Sequence, residues 1–266
     1  MSYSLCDFIE TLYQAQTFEE AFTTFQNEIF KLGYDGILYT CIPQLIVSSN
    51  FGLRPIYKLS EGYCPAYIQH YTDAHFEKND PLIRAVSAGI SSPIDWSGEI
   101  CKKFSSESKA SKEVIEVAGS YGIRDGVTIP LFMSGGGIAG ASFIIQEDTD
   151  FQKLCAETNH LLKLRTHIFH NFITSNSMHL NNFFKPIVDE FSNTQRRCLA
   201  GLAMGKSTSQ IAAEIGTSTG YLEQAMFKLR RKVSEDGDTK SPIVSRNQLL
   251  YHAGLMNILE YEIEDE

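Results

Sequence analysis

The sequence lacks the cysteine patterns that mark metal sites and disulfide frameworks. Its 266 residues include six cysteines, but no two form a C-x-x-C pair and none lies at zinc-ligand spacing from a histidine. Scattered thiols of this kind are typical of a reduced cytosolic protein. We therefore predict a cytoplasmic protein that has no metal site and no cofactor.

Long apolar runs and a targeting segment are also lacking. No stretch of about 18 apolar residues occurs, so no membrane-spanning helix and no membrane partner are predicted. The first residues, MSYSLCDFIE, have no basic region followed by an apolar core, which argues against a signal peptide. With 43% hydrophobic and 21% charged residues, the composition is that of a globular protein.

An overall positive charge is lacking as well, because the formal net charge is −9. This excludes a general basic coat for nucleic acid but not a local basic face. Residues 219–233 depart from the acidic average: four basic residues against one acidic residue, Glu223, give a local charge of +3. The basic residues are Lys228, Arg230, Arg231 and Lys232. A basic run on an acidic protein is where contacts with phosphates are expected.

Helix signals surround this basic run in a defined order. Ser192 with Gln195, and Ser207 with Gln210, are capping boxes that begin two helices. Gly205 and Gly216 end those helices, since glycine tolerates the left-handed conformation. Thr217 or Ser218 then begins a longer helix with apolar residues at helical spacing. Those residues are Leu222, Met226, Leu229 and Val233. The order predicts a helix-turn-helix that presents its last helix to the major groove; an ordinary three-helix bundle is the alternative.

Residues 191–233 resemble the helix-turn-helix of LuxR-type transcription regulators. The matching residues are Leu199, Ala203, Gly205-Lys206-Ser207, Ile211-Ala212, Ile215, Ser218, Leu222, Lys228-Leu229 and Lys232-Val233. The likeness resumes in the family's fourth helix, at Arg246, Leu249-Leu250, Ala253 and Ile258. Three features depart from the family: Thr194-Gln195 replace an Arg-Glu pair, Ala225 replaces a common histidine, and residues 234–245 contain an insertion.

This resemblance implies a homodimer that binds double-stranded DNA at palindromic sites. The residues predicted to contact DNA are Lys206, Ser207, Thr219, Tyr221, Glu223, Gln224, Lys228, Arg231 and Lys232.

The N-terminal two thirds are typical of an α/β domain. Thr17 begins a helix with apolar residues at helical spacing, and residues 36–42, GILYTCI, are typical of a buried strand. Two further strands, 127–132 and 138–145, flank the glycine run 134–137. That run lacks the lysine and the following helix of a phosphate-binding loop, so a hairpin turn is predicted.

A helix is predicted over residues 150–171, after these strands. The predicted fold is an α/β sandwich, an antiparallel sheet with helices on both faces, followed by an all-α helix-turn-helix domain. The predicted boundaries are a ligand-binding and dimerisation domain at 1–173, a linker rich in Ser, Asn and Pro at 174–190, the DNA-binding domain at 191–259 and an acidic tail at 260–266.

Residues 63–81, YCPAYIQHYTDAHFEKNDP, are both aromatic and polar. Tyr63, Tyr67 and Tyr71 recur every four residues and therefore share one helix face. Asp80-Pro81 is a typical helix start, with Asp80 as the cap. Taken alone, the pattern indicates core tyrosines with polar tips, a cap at Asp80 and a packing role for the single tryptophan, Trp96.

Residues 17–170 also resemble the acyl-homoserine-lactone-binding domain of the LuxR-type regulators. The resemblance implies that Asp80 accepts the amide N–H of the ligand and that Tyr63 or Ser142 donates to its acyl carbonyl. It also implies that Tyr71 and Trp96 enclose the head group. At Tyr67 the family usually has a tryptophan whose indole N–H bonds the lactone carbonyl. The ligand is therefore expected to be an acyl-homoserine lactone or another small amphiphile.

The predicted function is a transcription regulator gated by this small molecule, not an enzyme. The alternative is a LuxR-type regulator that acts without this ligand and uses its N-terminal domain for dimerisation or partner binding. A hydrolytic triad of Ser142, His70 and Asp80 is disfavoured because no G-x-S-x-G turn surrounds Ser142. A phosphorylated receiver domain is disfavoured because the predicted strands carry no acidic cluster.

Overall fold

A computed structural model describes residues 5–42, 55–133, 137–145, 150–189, 191–232, 234 and 244–255. Its chain forms two compact units, which divide between Thr174 and Ser175. Most of the predicted glycine turn at 134–137, most of the 234–245 insertion and the acidic tail lie outside the described residues.

The first unit is built on a five-stranded sheet with the strand order β2-β1-β5-β4-β3. The strands are β1 (Gly36–Ile42), β2 (Ile56–Leu59), β3 (Ile94–Asp95), β4 (Gly126–Phe132) and β5 (Ile138–Ile144). The pairs β1–β2, β3–β4 and β4–β5 are antiparallel. The predicted antiparallel sheet is confirmed.

Seven α-helices accompany this sheet among the described residues. They are α1 (Leu5–Gln14), α2 (Phe18–Lys31), α3 (Pro65–Asp73), α4 (Pro81–Ser87), α5 (Glu99–Ser105), α6 (Lys109–Ser120) and α7 (Phe151–Ser175), with a short 3-10 helix at Phe76–Lys78. The side chain of Thr17 accepts a hydrogen bond from the backbone N–H of Glu20, so the predicted cap of α2 is confirmed.

One face of the sheet is covered by α2 and α7. Phe25 of α2 stacks on Phe169 of α7 with ring centroids 4.4 Å apart, and Phe143 of β5 contacts Phe25 edge-on at 6.2 Å. Next to them the Tyr39 hydroxyl lies 2.8 Å from Nδ1 of His170, whose Nε2 lies 3.2 Å from the carbonyl oxygen of Phe132. Burial lowers the pKa of His170 to about 4, so the imidazole is neutral and donates from Nε2. Protein side chains fill this face.

The opposite face carries the alternate residues of the same strands, because side chains alternate along a strand. Thr128 of β4 is the register partner of Ser142 of β5, and Leu38 and Ile144 pack into the cluster of aromatic residues that covers this side. Residues of α3 and α6 complete the cover. The prediction of helices on both faces is thus confirmed.

The second unit begins with α8 (Ser177–Val188), which lies inside the predicted linker. Asn176 caps α8 through the backbone N–H groups of Met178 and His179, and Phe183, Phe184 and Val188 are buried. The segment predicted as a linker thus contains a helix, because its apolar residues give it a buried face.

Four helices follow: α9 (Asn193–Ala203), α10 (Thr208–Ile215), α11 (Thr219–Lys232) and α12 (Arg246–Leu255). Both predicted capping boxes are present, and the Ser218 hydroxyl caps α11 by accepting from the N–H of Tyr221. Gly216 adopts a φ of 74° and so turns the chain from α10 into α11. The all-α helix-turn-helix domain is confirmed.

Within the described ranges, no helix is both long and apolar enough to cross a bilayer.

Candidate functional site

A cluster of tyrosines covers the second face of the sheet. We call Tyr57, Tyr63, Tyr67, Tyr71 and Tyr121, with the apolar residues packed on them, the tyrosine cluster. Pro65 at the first turn of α3 fixes the start of the helix that carries Tyr67 and Tyr71. The rings meet at centroid distances of 6.4 Å for Tyr63–Tyr67 and 5.9 Å for Tyr67–Tyr71. Tyr67 and Tyr71 thus share a face of α3 as predicted, whereas Tyr63 precedes the helix, and the three rings together form a buried aromatic wall.

Asp80 joins this wall as a buried carboxylate. Its Oδ1 accepts from the backbone N–H groups of Leu82 at 2.7 Å and Ile83 at 3.4 Å, so Asp80 caps α4. Its Oδ2 accepts from the hydroxyl of Tyr71 at 2.6 Å. Burial raises the pKa of Asp80, and the three hydrogen bonds oppose that rise. Asp80 is thus both a helix cap and a polar group of the tyrosine cluster.

A second polar group is a chain of three side chains on the sheet. Trp96 donates from Nε1 to the Thr128 hydroxyl oxygen at 2.8 Å, and that oxygen lies 2.9 Å from the Ser142 hydroxyl. The three groups carry three polar hydrogens, whereas the chain uses two of them. One hydroxyl hydrogen of Thr128 or Ser142 therefore remains available as a donor.

The structure brings the six predicted ligand-binding residues to one side of the sheet. Tyr63, Tyr67, Tyr71 and Trp96 belong to the tyrosine cluster, Asp80 is bonded to Tyr71, and Ser142 is linked to Trp96 through Thr128. Thr128 was not predicted, although it is the only polar residue in the strand 127–132. Tyr57 was not predicted either, and no sequence pattern indicated it.

The imagined hydrolytic triad is not assembled among the described residues. His70 is exposed and its Nδ1 lies 3.1 Å from the Tyr121 hydroxyl. Neither Asp80 nor Ser142 is its hydrogen-bond partner. The described residues also contain no group of three histidine, cysteine or acidic side chains placed to hold a metal ion.

The predicted DNA-reading helix α11 has one buried face and one exposed face. Leu222, Met226 and Leu229 are buried, while Gln195 of α9 donates from Nε2 to the carbonyl oxygen of Ala225 at 3.2 Å. This bond fixes α11 beside the position where the family often has a histidine. The predicted DNA-contacting residues of α11 that are exposed are Thr219, Tyr221, Glu223, Gln224, Lys228 and Lys232, and Arg231 is half-buried.

The two predicted DNA contacts before α10 already have protein partners. Lys206 forms an ion pair with both carboxylate oxygens of Glu214, at 2.8 and 2.7 Å. The Ser207 hydroxyl caps α10 by accepting from the N–H of Gln210. The charge of Lys206 is thus partly neutralised within the domain.

A buried polar site in an α/β unit, joined to a helix-turn-helix unit, is the layout of a signal-responsive regulator. The autoinducer-binding domain family matches residues 17–173. The chain therefore belongs to the LuxR-type quorum-sensing regulators, a family of regulators and not of enzymes, as the sequence predicted.

Sequence relatives of this chain are transcriptional activators. The transcriptional activator protein LuxR of Aliivibrio fischeri is 27% identical over 184 residues, which is 66% of this chain and 70% of the relative. The transcriptional activator protein ExpR of Dickeya dadantii is 26% identical over 60% of this chain and 65% of the relative. The matched segment thus spans about two thirds of each relative's length.

Solved structures agree on the fold. Escherichia coli SdiA has a TM-score of 0.51 and 17% identity, covering 94% of this chain and 95% of that one. CepR2 of Burkholderia cenocepacia, described as N-acylhomoserine lactone dependent, has a TM-score of 0.51 and 17% identity over 64% of this chain and 94% of its own. Another SdiA structure, in complex with octanoyl-rac-glycerol, has a TM-score of 0.50 and 17% identity over 98% of this chain and all of that one.

Proposed function

We propose that this protein is a homodimeric transcription regulator that binds an acyl-homoserine lactone, or a related acyl amide, at the tyrosine cluster. The dimer binds palindromic double-stranded DNA through α11 of each subunit. Ligand binding stabilises the first unit and so controls the fraction of protein able to bind DNA.

The observation that carries the proposal is the buried carboxylate of Asp80. A carboxylate has about four lone-pair sites, and the described part of the chain supplies three donors to Asp80. An amide N–H of a ligand matches the remaining site. A buried carboxylate costs free energy unless it is hydrogen-bonded, so a further donor favours binding. The spare hydroxyl hydrogen of Thr128 or Ser142 then matches the acyl carbonyl.

A second ligand class is an acyl ester that carries hydroxyl groups. Tyr67 favours it, because a phenol is shorter than the tryptophan common in the family and donates at another angle. SdiA, which shares the fold, was solved with octanoyl-rac-glycerol. The hydroxyl groups of such a head group would donate to Asp80 in place of an amide N–H.

Thermal unfolding of the full chain against a ligand panel tests the proposal. The panel contains acyl-homoserine lactones of increasing chain length, an aryl amide and 1-octanoyl-glycerol. A ligand at 100 times its Kd stabilises the folded state by about 2.7 kcal/mol, which raises the Tm by several degrees. A rise in Tm that depends on acyl chain length within one ligand class supports the proposal and identifies that class as the ligand. A flat Tm across the panel contradicts it and favours the regulator that acts without ligand.

The DNA-binding role of α11 gives a second prediction. Lys228→Ala is expected to weaken binding to every DNA sequence alike and to reduce the slope of log K against log salt by about 1, as the loss of one phosphate contact does. Fluorescence anisotropy of a palindromic and an unrelated duplex over a salt series measures both quantities. The control is Lys112→Ala in the first unit, an exposed lysine that pairs with Glu116 and carries the same charge. If both variants have the same salt slope as the unchanged protein, Lys228 does not contact phosphate.

A further inference from the structure

Tyr57 carries a hydroxyl group that takes no part in the hydrogen bonds of Asp80 or of the Trp96–Thr128–Ser142 chain. It lies on β2, opposite Thr40 of β1, and its ring contacts Tyr71 edge-on at a centroid distance of 6.0 Å. The hydroxyl oxygen is fully buried and, throughout the described part of the chain, has no hydrogen-bond partner. A buried polar group without a partner destabilises a protein, and such groups are rare in native structures.

The position of Tyr57 relates this hydroxyl to the proposed ligand site. Tyr57 and Tyr67 both contact the ring of Tyr71 edge-on, at 6.0 and 5.9 Å. The hydroxyl of Tyr71 is bonded to Asp80. Tyr57 therefore contacts Tyr71, the residue that bonds the carboxylate proposed to receive the ligand N–H. Like Tyr67, it belongs to the tyrosine cluster.

The chemistry of the surroundings makes Tyr57 a donor. Burial raises the pKa of its phenol, and the charges of Glu77 and Asp80 raise it further. The group keeps its proton at any working pH. A neutral phenol that has no acceptor of its own is suited to an oxygen atom of a bound molecule.

We infer that Tyr57 is a ligand-binding residue whose hydroxyl donates a hydrogen bond to an oxygen of the ligand head group. The inference rests on the proposed function and narrows it to acyl compounds whose head group carries an oxygen acceptor close to the donor that Asp80 binds. Tyr57 thereby supplements Tyr67, whose shorter side chain stands where the family usually has a tryptophan. The ring carbonyl of a homoserine lactone and a hydroxyl of a glycerol ester both provide such an oxygen.

The test combines Tyr57→Phe with ligands that differ in the head group. Titration calorimetry on the full chain measures the Kd of octanoyl-homoserine lactone, of 1-octanoyl-glycerol and of N-cyclopentyl-octanamide, which has the same acyl chain but no oxygen in its ring. We expect Tyr57→Phe to weaken binding of the oxygen-bearing ligand that the protein prefers by about tenfold, as for one lost hydrogen bond. Binding of the cyclopentyl amide is expected to change less than about twofold.

Stability without ligand gives an independent readout with a matched control. Removing an unpaired buried hydroxyl leaves the Tm of ligand-free protein unchanged or raises it. Tyr39→Phe is the control, because the Tyr39 hydroxyl is equally buried but bonds His170 on the other face of the sheet. Tyr39→Phe is expected to lower the Tm by several degrees and to leave every Kd unchanged.

Three results would overturn the inference. One is an unchanged Kd for the oxygen-bearing ligands in Tyr57→Phe, and another is an equal loss for the cyclopentyl amide. The third is a fall in the ligand-free Tm as large as that of Tyr39→Phe, which would show a protein partner for the hydroxyl. In each case the unchanged protein still binds ligand and the proposed function stands. If the unchanged protein binds none of the three compounds, the proposed function and the inference fail together.

Discussion

Asp80→Asn is expected to weaken binding of an acyl-homoserine lactone by about a hundredfold or more, and thus to abolish the ligand-induced rise in Tm. The reason is the direction of the hydrogen bond. The carboxylate accepts from the ligand N–H, whereas an asparagine that keeps its oxygen on the backbone N–H of Leu82 turns its NH₂ group toward Tyr71 and the ligand. Two donors then face each other in a buried site.

The substitution preserves the fold. Asparagine caps helices as well as aspartate does, so the start of α4 is retained. The tyrosine hydroxyl can rotate and accept from the new NH₂ group. Circular dichroism and the ligand-free Tm are expected to match those of the unchanged protein. The control is Asp73→Asn on α3, which makes the same charge change at an exposed carboxylate whose partner among the described residues is Gln69. A normal ligand response in Asp80→Asn would show that Asp80 is only a cap.

The raised pKa of Asp80 adds a pH dependence to the same experiment. Because burial raises this pKa in the folded state, the carboxyl takes up a proton at a higher pH than it does in the unfolded chain. A protonated carboxyl is a poorer acceptor for an amide N–H. Ligand affinity should therefore fall as the pH is lowered through the raised pKa, and the Asp73→Asn control should keep this pH dependence.

The fold was predictable where the signal is local. Capping boxes at Ser192 and Ser207 use residues three positions apart, so the sequence alone places the starts of α9 and α10. The strand 36–42 was predicted from its apolar run and is observed with the same bounds. Contacts between separate helices have no such local signal. Lys206 pairs with Glu214 on α10, and no pattern in the sequence indicated that pair.

The site was predictable only in part, because its remaining contacts join residues that are distant in the chain. Asp80 and Tyr71 are nine residues apart and lie on neighbouring helices, so a sequence resemblance could locate both. The bond from Trp96 to Thr128 spans 32 residues and depends on the register of β3 and β4. Tyr57 reaches the site because β2 pairs with β1, and short edge strands carry weak sequence signals. Register is set by packing across the sheet, which one sequence does not display.

The second large effect is expected in the segment that joins β2 to α3. Gly62 immediately precedes Tyr63 and lies against the start of β1. A Cβ at this position would overlap with the carbonyl oxygen of Asp35 and lie 2.8 Å from its carbonyl carbon. Both atoms belong to the backbone and cannot rotate away. Ser60, two residues earlier, exchanges hydrogen bonds with Ile37, so the two chain segments are held together next to the contact.

Gly62→Ala is therefore expected to destabilise the protein by roughly 3 kcal/mol or more, and to remove the ligand response, because the start of α3 must move away from β1. The matched control is Gly119→Ala in α6, where an added Cβ meets nothing within 4 Å. Alanine is the better helix former, so this control should gain about 0.5–1 kcal/mol. Urea unfolding of both variants gives the two free energies of unfolding. If the free energy of unfolding falls in Gly62→Ala and rises in Gly119→Ala, close packing makes glycine necessary at position 62. If it rises in both variants, the Asp35 backbone leaves room for a side chain there.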